Sequence, residues 1–157
     1  MAEMPKFSNT KRHENVYELS PWQSIHNTIK KPMVTGMGPH EIHESALAIG
    51  FAHITEPDIL GAPTHVHNFD QWIYLIGADK FSEFDADVEF TLGDEIIQIS
   101  YPCYIFIPKG VKHCPLNIKR VGKPFIFVDA SITEEASVRP DSYRSTKRPE
   151  YQALNND

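Results

Sequence analysis

Short apolar runs are the feature that most constrains this chain. They fall at residues 71–76, 88–92, 95–99, 104–107, 116–121 and 125–132, each bounded by Gly, Pro, Asp or Ser. A further segment from residue 40 to 55 alternates in its second half, with Leu47, Ile49 and Phe51 on one face and Ala48, Gly50 and Ala52 on the other. Alternation with period two is the mark of a strand with two unlike faces. Long helices are excluded by the 12 prolines and 8 glycines among 157 residues, since each interior proline costs about 3 kcal/mol in a helix. About seven or eight short strands at this spacing predict an all-β, antiparallel sandwich or barrel. No run approaches the roughly 18 apolar residues of a membrane-spanning helix.

The length suits one domain. Residues 1–39 are polar and punctuated by Pro5, Pro21, Pro32 and Pro39, which predicts a peripheral N-terminal arm with a short helical turn opening at Ser20-Pro21-Trp22. The β domain is expected over residues 40–133. The polar segment 134–157, with no sustained apolar face, is expected to be loosely packed or dependent on a partner. With 15 Lys+Arg against 21 Asp+Glu the net charge is −6, so the attraction that holds proteins to phosphate backbones is missing and nucleic acid is not an expected partner. The N-terminal sequence lacks a basic cluster leading into an apolar stretch, which predicts a cytoplasmic protein. Cys103 and Cys114 are too few for a disulfide framework; they are read as reduced thiols, with a single bridge between them the alternative.

The chemistry concentrates in two segments, THVHNFDQW around His65 and His67 and PKGVKHCPLN around His113. On a strand, residues i and i+2 share a face, so His65 and His67 are expected to aim two imidazoles at one point. Gln71 shares their odd register, whereas Asp70 points the other way unless a bulge intervenes. Three imidazoles and an oxygen donor suit a divalent transition metal such as Zn, Fe, Mn, Ni or Cu, with positions left for water or substrate. His13, His26, His40 and His43 read as solvated side chains.

These segments resemble the two motifs of the cupin superfamily. The second, P-x-G-x-x-H-x-x-x-N, is matched at Pro108, Gly110, His113 and Asn117, and the H-x-H core of the first, followed by an acid or amide, at His65, His67 and Gln71. The resemblance implies a jelly-roll β-barrel with His65, His67, Gln71 and His113 lining its interior as metal ligands. It also implies a homodimer, since cupins often pair or exchange N-terminal strands. Three departures from the pattern stand out: Gln71 replaces the usual Glu, Pro102 stands where a glycine is expected, and Gly61 and Gly77 sit closer to the motif than is common.

An amide in place of a carboxylate leaves the ligand set neutral and a bound ion at a formal +2. That favours Lewis acidity and so isomerase, cyclase or lyase chemistry, ranked ahead of dioxygenation although cupin dioxygenases with histidine-only ligands exist. A small anionic or oxygen-rich molecule is the expected substrate, because it supplies the missing negative charge. The alternative is a cupin-type binding or sensing module without turnover; a purely structural barrel does not require three convergent histidines. Proton-transfer candidates are His53, Tyr104, Asp129 and Lys112. His53 is equally a buried histidine bonded to a backbone carbonyl, and Asp129 a strand-end turn residue. On a regular strand Cys114 points away from the metal, as a buried inert thiol. Trp72 and Tyr74 read as core or dimer packing. The acidic stretch from Glu83 to Glu89 reads as a solvated edge, with Glu89 at the pocket mouth as its functional version.

Overall fold

The computed structural model describes residues 10–19, 34–36 and 47–132. The expected Ser20-Pro21-Trp22 turn and the polar tail from residue 134 lie outside them. Every element among the described residues is a strand: β1 (Thr10–His13), β2 (Val16–Glu18), β3 (Val34–Gly36), β4 (Leu47–Ile54), β5 (Asp58–Leu60), β6 (Asp70–Gly77), β7 (Ala86–Leu92), β8 (Glu95–Ile99), β9 (Cys103–Ile107), β10 (His113–Val121) and β11 (Phe125–Ile132). No described helix is long and apolar enough to cross a membrane.

The strands β1 and β2 form a hairpin. The others build a five-stranded sheet, in the order β3-β4-β11-β6-β9, and a four-stranded sheet, in the order β5-β10-β7-β8. All pairings are antiparallel. The two inner faces share one apolar core that includes Ile73, Leu75, Phe90, Leu116, Phe125 and Phe127, the all-β jelly-roll arrangement the sequence predicts. Residues 34–36, inside the segment expected to be a peripheral arm, join the five-stranded sheet as the edge strand β3.

Burial alternates along the strands as a half-buried sheet requires. Gln71, Ile73, Leu75 and Gly77 are buried on β6, and Ala86, Val88 and Phe90 on β7. On β4 the small face is the inner one: Ala48, Gly50, Ala52 and Ile54 are buried, while Leu47, Ile49 and Phe51 look outward. The cause lies in the neighbouring strand. Phe127 of β11 pairs with Ala52, and its inward phenyl ring leaves room only for a slim partner there at close-packed density.

The outer face of the same sheet is aromatic. Trp72 lies opposite Phe106 and Tyr74 opposite Tyr104, with ring centroids 5.2 and 5.7 Å apart. Tyr104, Phe106, Leu47 and Ile132 on this face are exposed. Trp72 and Tyr74 therefore pack across strands on the outside of the barrel, not in its core.

The acidic stretch is paired with cations on the outer side of β7. Arg120 bridges Asp85 and Asp87 at 2.8 and 2.6 Å, Glu83 meets Lys80 and Lys123 at 3.2 and 3.4 Å, and Glu89 meets Lys119 at 3.3 Å. The hydrogen bonds from Lys80 and Lys123 lower the Glu83 pKa, and the one from Arg120 lowers that of Asp87. Glu89 belongs to this solvated edge. Its neighbours Val88 and Phe90 point inward, so on a pleated strand Glu89 faces out.

Candidate metal centre

His65, His67 and His113 converge. One ligand atom from each lies within 4.8 Å of the others, and the ring centroids are 4.5 to 5.0 Å apart. The route to this geometry differs from the expected one. His65 and His67 do not lie on a continuous strand; β6 begins only at Asp70. An isolated bridge joins His65 to His113, with His65 N–H donating to His113 O at 3.1 Å and His113 N–H to His65 O at 3.0 Å. The first and third histidines are thus fixed face to face by backbone pairing. His67, two residues on, is held by Gly110 N–H donating to its carbonyl at 2.8 Å and by stacking on Phe69 at 4.6 Å. The Pro-x-Gly turn of the second motif therefore ties down the middle histidine of the first.

The tautomers are set by backbone carbonyls. Nδ1 of His65 donates to Pro63 O at 2.8 Å and Nδ1 of His113 to Val111 O at 2.9 Å. A carbonyl only accepts, so in both rings Nδ1 carries a proton and any ligand atom is Nε2. Nε2 of His113 is buried and has no hydrogen-bond partner among the described residues. Burial, together with the neighbouring His65, holds the His113 pKa below the usual imidazole range against the raising effect of the Val111 carbonyl, so the ring is neutral at pH 7. A buried, neutral imidazole in this tautomer fits a metal ligand, and a group of three histidines suits Zn, Fe, Cu or Ni.

Gln71 is buried on the inner face of β6, and Asp70 on the opposite face accepts from Lys109 N–H at 3.0 Å. The register expectation for this pair therefore holds. Gln71 Nε2 donates to Asp129 Oδ1 at 2.7 Å, and Gln71 Oε1 is buried without a hydrogen-bond partner among the described residues. Asp129 shares the inner face of β11 with Phe127 and Ser131. Ser131, buried and directly opposite Gln71, is a polar interior group that the sequence reading missed; its odd register with Asp129 was the available signal.

Two proton-transfer candidates are not brought to the histidines. His53 is exposed on the outer face of β4, lining an open cleft of about 390 Å³ with Ala78, Asp79, Lys80, Glu83, Lys123 and Pro124. It aligns through Ile126 with Ile76, five residues or roughly 17 Å along β6 from Gln71. Its apolar parity with Ile49 and Phe51 misled because that face is the outer one. Tyr104 is 66% exposed on the outer face of β9, opposite Tyr74. Lys112 is also exposed. Of the three candidates on strands, Asp129 alone faces inward.

Cys114 is the buried thiol expected, on a strand that is not regular. The β10 register shifts between His113 and Leu116, and Cys114 takes a left-handed φ of 70°, so both His113 and Cys114 are buried in succession. A Cβ on Gly61, itself at φ +73°, would come within 2.8 Å of Cys114 Sγ and 3.9 Å of His65 Cε1. The thiol thus packs against the turn before the His pair. Burial first, then the charge of Asp129, pushes its pKa up to about 12. Both cysteines are free.

Jelly-roll sheets, both motifs in order and three convergent histidines define a protein of cupin fold with a group able to hold a metal. No family model and no curated protein matches the sequence. Among solved structures, the chain is similar to the plu4264 protein from Photorhabdus luminescens at 15% identity and a TM-score of 0.50, over 85% of this chain and 99% of that one. It is similar to AerE from Microcystis aeruginosa at 14% identity and a TM-score of 0.50, over 74% of this chain but 46% of that one, so it spans about half the length of AerE. An RmlC-like cupin from Shewanella frigidimarina matches at 12% identity and a TM-score of 0.45, over 86% and 98% of the two chains. At these identities the likeness to the first two concerns the fold alone.

Proposed function

We propose that this chain is a metal-dependent enzyme acting on a small anionic or oxygen-rich organic molecule by redox-neutral chemistry of isomerase, cyclase or lyase type. The observation that carries this reading is the convergence of His65, His67 and His113, with the lone pair of His113 Nε2 buried and unpaired among the described residues. A bound divalent ion would supply Lewis acidity toward a coordinated carbonyl or enolate. The protein holds two of the three rings in one tautomer through Pro63 and Val111 and braces the third against Phe69. Opposite Asp129 and Ser131, the inner face of β4 carries only Gly50 and Ala48, which supports a small ligand.

The test is turnover. Protein loaded with Zn, Mn, Fe or Ni is incubated with small hydroxy-keto acids and dicarboxylates, and products and dissolved oxygen are followed together. Product without oxygen consumption is expected. Oxygen uptake matching product replaces the reading with dioxygenation, and a bound compound recovered unchanged replaces it with a binding module.

We also propose a cytoplasmic homodimer. Its support is the exposed aromatic outer face of the five-stranded sheet, with Tyr104 66%, Phe106 43% and Tyr74 39% exposed, since contiguous apolar patches on soluble proteins commonly mark interfaces. Light scattering at micromolar concentration is expected to give twice the chain mass; a monomer removes the proposal.

A further inference from the structure

The Gln71–Asp129 pair joins residues 58 positions apart, and the sequence motif accounts for only one of them. A carboxylate accepts and does not donate, so the 2.7 Å bond from Gln71 Nε2 to Asp129 Oδ1 fixes which way the amide lies. The nitrogen faces Asp129, and the oxygen is left on the other side, buried and without a hydrogen-bond partner among the described residues. Buried polar atoms in native structures are almost always satisfied, so an oxygen turned this way calls for a donor or a cation.

The backbone pairings place Gln71 beside the histidine segments. Gln71 lies opposite Ile107, immediately before the Pro108–Gly110 turn that bonds the His67 carbonyl through Gly110 and Asp70 through Lys109. Across the sheet, Asp129 lies opposite Gly50.

We propose that Asp129 is a positioning residue for the metal site, holding the Gln71 amide with its oxygen presented to the His65–His67–His113 group and setting a negative charge one hydrogen bond behind that oxygen. The inference rests on the metal reading above. The N–H···O⁻ bond draws electron density toward Oε1 and makes the amide a stronger donor. The donor atoms themselves stay neutral, and a negative charge is supplied from β11 one hydrogen bond behind the ligand.

The test uses full-length protein stripped of metal and titrated with Co(II), reading both affinity and the visible Co(II) spectrum; thermal unfolding of each metal-free variant checks its fold. Asp129→Asn keeps the shape and removes the charge. It is expected to weaken binding about 10- to 100-fold, the usual effect of losing a partner behind a ligand, and to shift the spectrum. The exchanged pair, Gln71→Glu with Asp129→Asn, moves the same charge onto the ligand and is expected to bind at least as tightly as wild type, a rescue that a purely structural role for Asp129 does not produce. This arm stands even if Asp129→Asn alone fails to fold. Wild-type affinity and spectrum in folded Asp129→Asn overturns the inference, as does an exchanged pair that binds 10-fold or more weakly than wild type. Co(II) uptake that is lost in His113→Ala but untouched in Asp129→Asn overturns this inference alone. No uptake by wild type overturns the metal reading and the inference with it.

Discussion

Wild-type protein purified without added metal is expected to carry close to one equivalent of transition metal per chain, and the His65→Ala/His113→Ala variant none. The two substitutions remove the face-to-face imidazoles of the His65–His113 bridge and leave one imidazole and one amide, too few donors to compete with water. The effect on stability follows from linkage. A ligand at about 1,000 times its dissociation constant stabilises the folded state by about 4 kcal/mol, which for a domain of this size raises the melting temperature by roughly 10 °C or more. Metal-stripped wild type is therefore expected to gain this shift on adding Zn, Fe, Mn or Ni, and the double variant not to move. Without metal the two proteins are expected to lie within about 2 kcal/mol of each other. The cavity left at His113, which is 1% exposed, is offset by removal of a buried nitrogen that lacks a partner. Calorimetry and elemental analysis read these quantities separately. Metal-free wild type whose melting temperature ignores all four ions would sink the site.

The strands were legible wherever alternation and punctuation coincide. Residues 95–99 and 125–132 are strands to the residue, 71–76 was short by one residue at each end, and 88–92, 104–107 and 116–121 were short by one to three residues at the start. The short strands β1, β2, β3 and β5 escaped because three or four residues carry too little pattern to separate a strand from a loop. Period two tells which residues share a face but not which face is inside. On β4 the bulkier face, with Leu47, Ile49 and Phe51, turned out to be the outer one because β11 brings phenyl rings to the other side. The error at His53 followed directly, and Tyr104 failed for the same reason on β9.

The histidine group was legible through its two motifs, although the geometry was not. Strand parity is not what aligns His65 with His67; the bridge to His113 and the bond from Gly110 do that, and both are contacts between segments about 45 residues apart. The register shift in β10 was equally hidden, since a local sequence reading assumes a regular strand and Cys114 breaks it at a left-handed φ. Gln71 was assigned inward correctly, but its neutral charge was counted in isolation. The carboxylate that meets it sits on another strand, and only the pairing of β6 with β11 brings the two together.

The largest loss of stability from a single methyl group is expected at Gly77→Ala. Gly77 ends β6 opposite Phe125, and its N–H donates to Phe81 O at 3.3 Å. A Cβ there would overlap the carbonyl oxygens of Lys80 and Glu83, far inside van der Waals contact. Both obstacles are backbone, and the turn holding them is tied down twice: Glu83 N–H donates to Lys80 O at 2.9 Å and Ala78 N–H to Pro124 O at 3.3 Å. Relief therefore means moving the turn, and with it Phe84, whose ring packs on the fully buried Phe125 at 4.9 Å. The expected cost exceeds about 4 kcal/mol, which belongs to the tail of single substitutions and is a large part of a typical domain stability of about 5–15 kcal/mol. Gly93→Ala is the control. Nothing lies within 4 Å of a Cβ at Gly93, but its φ is +62°, so only the left-handed backbone penalty of about 1–2 kcal/mol applies. Denaturant unfolding at 25 °C should place Gly93→Ala modestly below wild type and Gly77→Ala far below it or unfolded. A Gly77→Ala protein within 1 kcal/mol of wild type would show that the turn at residues 78–83 yields, and that the packing of Phe84 on Phe125 does not depend on it.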